Sequence, residues 1–354
     1  MINYRYAMLK ESLFKLPSTR YVGSKQRIAN WIWDNIKDIK FNSFLDLFGG
    51  TGVVGYLAKV NGKQVIYNDI LKFNYFVGKA LIENNKEKLT EEDINFILTK
   101  HNFNYPSFIE DTFKEIYFTN EENKWLDITI TNILKLKNEY KKSLALYCLF
   151  QSCIRKRPYN LFHRKNLYVR LADVKRGFGN KKTWDTSFEE HFNEFVNEIN
   201  NLIFDNQKDN KSLNFNALSF PKEIKADLIY IDTPYFSSHS NIGVDYKDFY
   251  HFLEGIIDYN KWDKKIDKDS KHLRLNKEKT IWEDKNKIQM AFDNLFDKFK
   301  DKTLVISYRS GGIPTEEQMI NLLKKYKKDV IIIRKEHKYV LSHNHNEELL
   351  FIAR

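Results

Sequence analysis

The chain has 354 residues, 42% of them hydrophobic and 30% charged, with a formal net charge of +11 at pH 7. That is enough for one large core, or for a core with a lobe set into it. No stretch approaches the roughly 20 uninterrupted apolar residues that span a bilayer. Met1-Ile-Asn-Tyr-Arg lacks the apolar run of a secretory signal, and Cys148 and Cys153, the only cysteines, have no Cys or His partner at zinc spacing. The expectation is a cytoplasmic, reduced, metal-free monomer.

In chain order, Phe44-Leu45-Asp46-Leu47-Phe48 is a short apolar run that ends at glycines. Val53 to Ala58 has helical character, and Val65-Ile66-Tyr67 is a second buried strand ending at Asn68-Asp69. This strand, turn, helix, strand order opens a nucleotide-binding α/β sheet. Residues 85 to 140 read as helical and charged. Leu144 to Ile154 reads as an apolar helix ended by Pro158. Leu167, Val169 and Leu171 then alternate with Tyr168, Arg170 and Ala172, which predicts a strand, followed by a tight turn at Gly177-Phe-Gly179. Asp227-Leu-Ile-Tyr-Ile-Asp232 and Thr303-Leu-Val-Ile-Ser-Tyr308 read as strands covered on both faces. Val330 to Arg334 and Glu348 to Ala353 read as an antiparallel pair. Residues 1–80 and 211–354 form the predicted catalytic domain, 81–210 an inserted lobe, and 237–287 a second insertion close to the site.

The charge is local. Residues 141 to 182 hold twelve Lys and Arg against the single acid Asp173, which leaves 46 basic and 46 acidic residues elsewhere. One concentrated basic segment points to a polyanion held at one place, and the competing reading is a solvated face.

Gly50-Thr51-Gly52-Val53-Val54-Gly55 matches G-x-G-x-x-G, with Asp69 at the end of the next strand. The pattern suits NAD and S-adenosylmethionine alike, since both present an adenosine ribose to such strand ends. The preceding Asp46-Leu-Phe48-Gly tilts the choice. A carboxylate is repelled by a pyrophosphate but attracted to the ammonium of a methionine moiety.

Asp232-Thr233-Pro234-Tyr235 stands at the carboxyl end of an apolar strand, and here the chain resembles the amino-methyltransferases, whose fourth motif is D/N/S-P-P-Y/F. An exocyclic adenine amine is a poor nucleophile because its lone pair is delocalised into the ring. Two acceptors on its N–H groups favour the nucleophilic form and stabilise the charge that develops. The resemblance gives those roles to Asp232 and the Thr233 carbonyl, with Tyr235 stacking on an extruded base. Thr233 departs from the usual proline but keeps the carbonyl.

Arg20-Tyr21-Val-Gly-Ser-Lys25 resembles the [YW]-x-G-G/S-K motif of Dam-type, alpha-class adenine methyltransferases. That likeness places Tyr21 and Lys25 at the cofactor site, together with Asp46, Phe48, Gly50, Gly52, Asp69, Asp232 and, replacing the usual aspartate, Asn216. Ser307 to Pro314 and His337 to Ser342 look like the family's late motifs. The segment Arg155-Lys-Arg157-Pro-Tyr159-Asn160-Leu-Phe-His163-Arg164-Lys165-Asn166 resembles the Dam-type Y-N-G-x-x-R-x-N, which lies on the DNA side. Arg155, Arg157, Tyr159, Asn160, Arg164, Lys165, Arg170 and Arg176 are therefore the DNA-binding candidates.

The resemblance implies a Rossmann-like, seven-stranded mixed sheet with an inserted target-recognition lobe. It implies transfer from S-adenosylmethionine to adenine N6 in double-stranded DNA after base flipping, within a restriction–modification system that can include a cognate endonuclease. The rivals are RNA adenine or protein glutamine methylation (usually Asn at position 232), cytosine N4 methylation (usually Ser), a NAD-dependent oxidoreductase, and a silent DNA-binding module. His337, His343 and His345 carry no metal reading, because methyl transfer from a sulfonium needs no metal.

Overall fold

The computed structural model describes residues 19–174, 181–237, 243–337 and 346–354. Its strands are β1 Ser43–Asp46, β2 Gln64–Asn68, β3 Lys211–Leu213, β4 Leu228–Ile231, β5 Phe236–Ser237, β6 Thr303–Arg309, β7 Gly312–Ile313, β8 Val330–His337 and β9 Asn346–Ala353. Two compact units are distinguished. The first comprises the residues through Ser24, Lys79–Asp205 and Lys247–Lys277; the second comprises Lys25–Gly78, Asn206–Tyr246 and Glu278–Arg354.

The second unit carries a seven-stranded sheet in the order β3-β2-β1-β4-β6-β9-β8. The pairs from β3 to β6 are parallel, while β9 is antiparallel to both β6 and β8. The Rossmann-like, seven-stranded mixed α/β sheet expected from the sequence is thus present. Paired residues share a face, so register assigns the two sides. Leu45, Ile66, Ile229, Ile231, Leu304, Ile306 and Phe351 pack with the helices Ile288–Lys298 and Glu316–Lys324 in one apolar core. The other face carries Asp46, Tyr230 and Val305, and the helix Val53–Val60 lies against it. There a Cβ on Gly55 would stand 3.0 Å from Asp46 Oδ2 and 3.4 Å from Val65 Cγ1, so this helix packs closely because it presents glycine.

Strand order reverses between β1 and β4, which makes their carboxyl ends the switch point where open α/β sheets bind ligands. A two-residue ladder, β5 with β7, joins the segment after β4 to the turn after β6.

The first unit is helical. Its helix Asn120–Leu134 begins with a capping box from Thr119 and Glu122. Helix Glu139–Arg155 is buried from Ser143 to Ile154, with the free thiols of Cys148 and Cys153 inside. The strand expected at Leu167–Leu171 is instead a helix. The alternation had counted Arg170 as outward and Leu171 as inward. In the fold Leu167, Val169 and Arg170 are buried while Tyr168 and Leu171 are exposed, a helical spacing that lets Arg170 turn inward to an acid. The turn at Gly177–Gly179 lies outside the described residues. Among the described residues, no helix is long and apolar enough to cross a membrane.

Candidate active site

At the switch point of the sheet unit, β1 runs into the glycine loop and β4 into Asp232. Gly50 and Gly52 have φ of 51° and 71°, the left-handed region that favours glycine. Gly49 is required by space, since a Cβ there would lie 2.0 Å from the Tyr67 ring. Tyr67 in turn donates its hydroxyl to the Gly50 carbonyl at 2.7 Å, fixing the loop from below. Phe48 is half-buried and meets Trp282 edge-on, with ring centroids 5.3 Å apart.

Two acids flank this loop. Asp46 Oδ2 accepts the Gly55 N–H at 3.1 Å. Burial pushes its carboxyl up to about 8 against that bond, and the nearby charges of Asp232 and Asp69 add to the rise. Asp69 accepts the Leu71 N–H at 2.8 Å and the Gly50 N–H at 2.9 Å. Burial raises Asp69 to about 6, with those backbone bonds opposing. The site therefore concentrates carboxylates that are costly to ionise without a cation beside them.

Asp232 is the best-held member. Its Oδ2 stands 2.9 Å from Lys25 Nζ, and its Oδ1 accepts the Tyr235 hydroxyl at 2.7 Å. The same ammonium lies 4.9 Å from the centre of the Tyr235 ring, closing a three-residue cluster. Thr233 is buried and Pro234 half-buried behind them. Asn216 is exposed, and its side-chain oxygen accepts the Leu218 N–H at 3.0 Å, capping the turn Ala217–Ser219. Lys25, Asp46, Asp69, Asp232 and Tyr235 are thus residues of one unit. Tyr21 belongs to the other, where its ring stacks on Tyr250 with centroids 4.4 Å apart.

Two neighbours carry no role in the sequence reading. Ile70 is 54% exposed immediately after Asp69, an apolar side chain left open at a strand end. Tyr246 carries a hydroxyl raised above the ordinary tyrosine value, first by burial and then by the charges of Asp232 and Asp69, with Arg309 opposing. Ile70 had a signal, an aliphatic residue directly after the strand-end acid. Tyr246 had none, because its approach depends on the tertiary course of an insertion.

The DNA-binding candidates divide sharply. Arg157 is 1% exposed; its guanidinium donates to the carbonyls of Tyr117, Leu161 and Arg164 and to the Asn166 side chain. Arg170 is 5% exposed and pairs with both Glu122 oxygens, at 2.8 and 2.7 Å. These two, expected on the DNA side, turn their terminal nitrogens to partners inside the helical unit, while the Arg170 Nε–H is buried without an acceptor. Arg155 pairs with Glu194. Arg164 and Lys165 are exposed, and Tyr159 is half exposed. Tyr159 and Asn160 are consecutive non-glycine residues with φ of 61°, a strained pair of the kind found at functional loops. Arg176 lies outside the described residues.

The model of the D12 class N6 adenine-specific DNA methyltransferases matches residues 21–310. The chain is 31% identical over 349 residues to the Type II methyltransferase M2.HphI of Haemophilus parahaemolyticus, covering 96% of this chain and 98% of that one. It is 31% identical over 335 residues to the modification methylase StsI of Streptococcus sanguinis, and 28% over 331 residues to the Type II methyltransferase M.FokI of Planomicrobium okeanokoites. Those matches cover 88% and 87% of this chain but only 47% of each of the two longer relatives. These matches remove the dinucleotide-dependent alternative, and the chain belongs to the D12 class of N6 adenine-specific DNA methyltransferases.

Proposed function

We propose that the protein transfers a methyl group from S-adenosylmethionine to adenine N6 in double-stranded DNA, as the modification partner of a restriction endonuclease. The observation that carries the reading is the Asp232 carboxylate, held by Lys25 and Tyr235 at the switch point beside the glycine loop. The proposed setting is a cytoplasmic monomer.

The residues at the loop fit the cofactor. Asp46 and Asp69 are carboxylates raised by burial; a cationic amino acid moiety relieves what ionisation costs at Asp46, and Asp69 at the end of β2 can accept from the ribose hydroxyls. The side chains of Ile70 and Phe48 offer apolar surface to an adenine ring. S-adenosylmethionine supplies an electrophilic methyl group on a sulfonium, whose electron pair stays on sulfur as the carbon–nitrogen bond forms.

The chain's own residues prepare the acceptor. A carboxylate has about four lone-pair positions. Lys25 and Tyr235 occupy two at Asp232, so two remain for an amine N–H. The Thr233 carbonyl is the second acceptor. Together they draw the nitrogen toward its pyramidal form and stabilise its positive charge, and Asp232 can hold the proton released after transfer. Tyr235 stacks on the extruded base, and its hydroxyl bond to Asp232 sets the angle between ring and acid. Tyr159, Asn160, Arg164 and Lys165 are the proposed DNA contacts, and the buried Arg157 holds their loop in shape.

Incubation with labelled cofactor and unmethylated duplex DNA, followed by digestion to nucleosides, should yield label in N6-methyl-2′-deoxyadenosine. Label in RNA but none in DNA would sink the proposal. Asp232→Ala should lower transfer by at least about 100-fold, the scale of losing one transition-state hydrogen-bonding group, while cofactor binding stays measurable.

A further inference from the structure

Partly buried arginines in this fold share a habit. Arg155 pairs with Glu194, Arg157 with three carbonyls, Arg170 with Glu122, and Arg274 with Asp267 at 3.1 Å. Arg309, the last residue of β6, breaks it. Among the described residues its guanidinium has no hydrogen bond and no ion pair, and its Nε–H is sealed from solvent without an acceptor. Glu348 stands opposite it in the β6–β9 ladder. A half-buried guanidinium whose donors no internal group claims can serve a partner from outside the chain.

Its position says which partner. Register puts Asp46, Tyr230 and Val305 on one face of the sheet, and Arg309, four residues beyond Val305 on the same strand, shares it. The glycine loop follows β1, Asp232 follows β4, and Arg309 ends β6. Neighbouring strands are roughly 4.8 Å apart, so β6 runs about 10 Å to the side of β1, and Arg309 stands four residues past the level of Asp46, on the side of Asp232 turned away from the cofactor loop. Tyr246 is close enough to Arg309 and Asp232 for its hydroxyl to respond to both charges. The acceptor side of the reaction brings one kind of anion, a phosphodiester, and a guanidinium fork suits its two free oxygens.

We infer that Arg309 binds the backbone phosphate next to the extruded adenine and so positions the target nucleotide against Asp232. The inference rests on the DNA adenine methyltransferase reading above and adds a residue to it.

The test measures DNA binding over a range of salt, steady-state constants for DNA and cofactor, and thermal melting, for the wild-type chain, Arg309→Gln and Arg309→Lys. Loss of one phosphate contact should weaken DNA binding about tenfold and lower the slope of log affinity against log salt by roughly 0.9. The loss should fall on KM for DNA more than on kcat, with cofactor affinity unchanged. Arg309→Lys should recover the slope but only part of the affinity, because an ammonium makes a single contact. Melting of Arg309→Gln should hold or rise, since the guanidinium has no internal partner to lose. An unchanged salt slope overturns the inference, and so does a loss confined to cofactor affinity, which would assign Arg309 to the cofactor's carboxylate. A wild-type chain that binds DNA without methylating it would instead break the parent reading, and the slope comparison would still decide the role of Arg309.

Discussion

The helical unit holds the chain's densest run of positive charge and spends half of it on its own acids and carbonyls, whereas the sheet unit has few cations at its site and leaves one unspent. Lys156, Arg157 and Arg170 are each less than 6% exposed, and Glu122 takes both Lys156 and Arg170, at 2.9 and 2.7 Å. Lys141 pairs with Asp93, and Lys142 with Glu139. At the site of the sheet unit, by contrast, Lys25 faces Asp232, and among the described residues the Arg309 Nε–H has no acceptor. Net charge in a sequence window is therefore a poor measure of charge offered to a ligand. What matters is whether buried acids and carbonyls have already claimed it.

The sharpest way to break this contrast is at Glu122. Burial alone would raise its carboxyl, but Arg170 and Lys156 outweigh burial and hold it below the ordinary glutamate value. Glu122→Gln strands two buried cations, and it should cost about 3 kcal/mol in chemical denaturation. The sign is fixed by linkage. A folded-state value below the unfolded one gives stability that is complete above the ordinary glutamate pKa and is lost as pH falls through the folded value. The variant should therefore lose part of the acid-limb slope of the stability curve. Unchanged stability with tighter DNA binding would mean that Lys156 and Arg170 are available to phosphate after all.

Much of the sheet was legible because buried parallel strands announce themselves as short apolar runs ending in functional residues. Phe44 to Phe48, Asp227 to Asp232 and Thr303 to Tyr308 did so. β3 was not foreseen, since Lys211-Ser-Leu213 is three residues long and mostly polar. The Leu167–Leu171 helix was misread because a buried arginine carries no mark of burial in its letter. The same blindness hid Arg157 and Arg170 inside the fold. Asp232, Tyr235 and Lys25 were legible through motif resemblance, but the contact between Lys25 and Asp232 spans 207 positions, and only the fold closes it.

A second test acts on the part of the basic segment that stays outside. Arg164→Gln with Lys165→Gln removes two exposed charges from a loop whose shape the buried Arg157 maintains. Two phosphate contacts correspond to a loss of roughly 1.8 in the salt slope, and to tens-fold weaker binding at about 0.1 M salt. Melting should move little, because exposed charges contribute within about 0.5 kcal/mol. Arg157→Gln should give the converse, a loss of stability with a smaller change in slope. If both variants gave the same slope and the same melting temperature as wild type, the whole segment would revert to a solvated face.

The smallest expected effect lies at Asp46 and is best read from pH. Its carboxyl titrates near 8 in the free chain, chiefly through burial. A cationic ligand beside it favours the ionised form, so binding releases a proton from any molecule still protonated at Asp46. Cofactor affinity should then rise with pH up to about 8, by at most about tenfold per unit, and level off above it. Asp46→Asn keeps an oxygen for the Gly55 N–H but removes the titration, so it should flatten this dependence and weaken affinity most above pH 8. Stability runs the other way. Because the folded value lies above the unfolded one, the ionisable acid costs the free chain stability as pH climbs from about 4 to about 8. Asp46→Asn should therefore melt higher than wild type at pH 8.5 in the absence of cofactor, and lose that advantage when saturating cofactor is added. Equal affinity for wild type and variant at every pH would reduce Asp46 to a brace for the helix Val53–Val60, and would leave the cofactor's charge to be met elsewhere in the site.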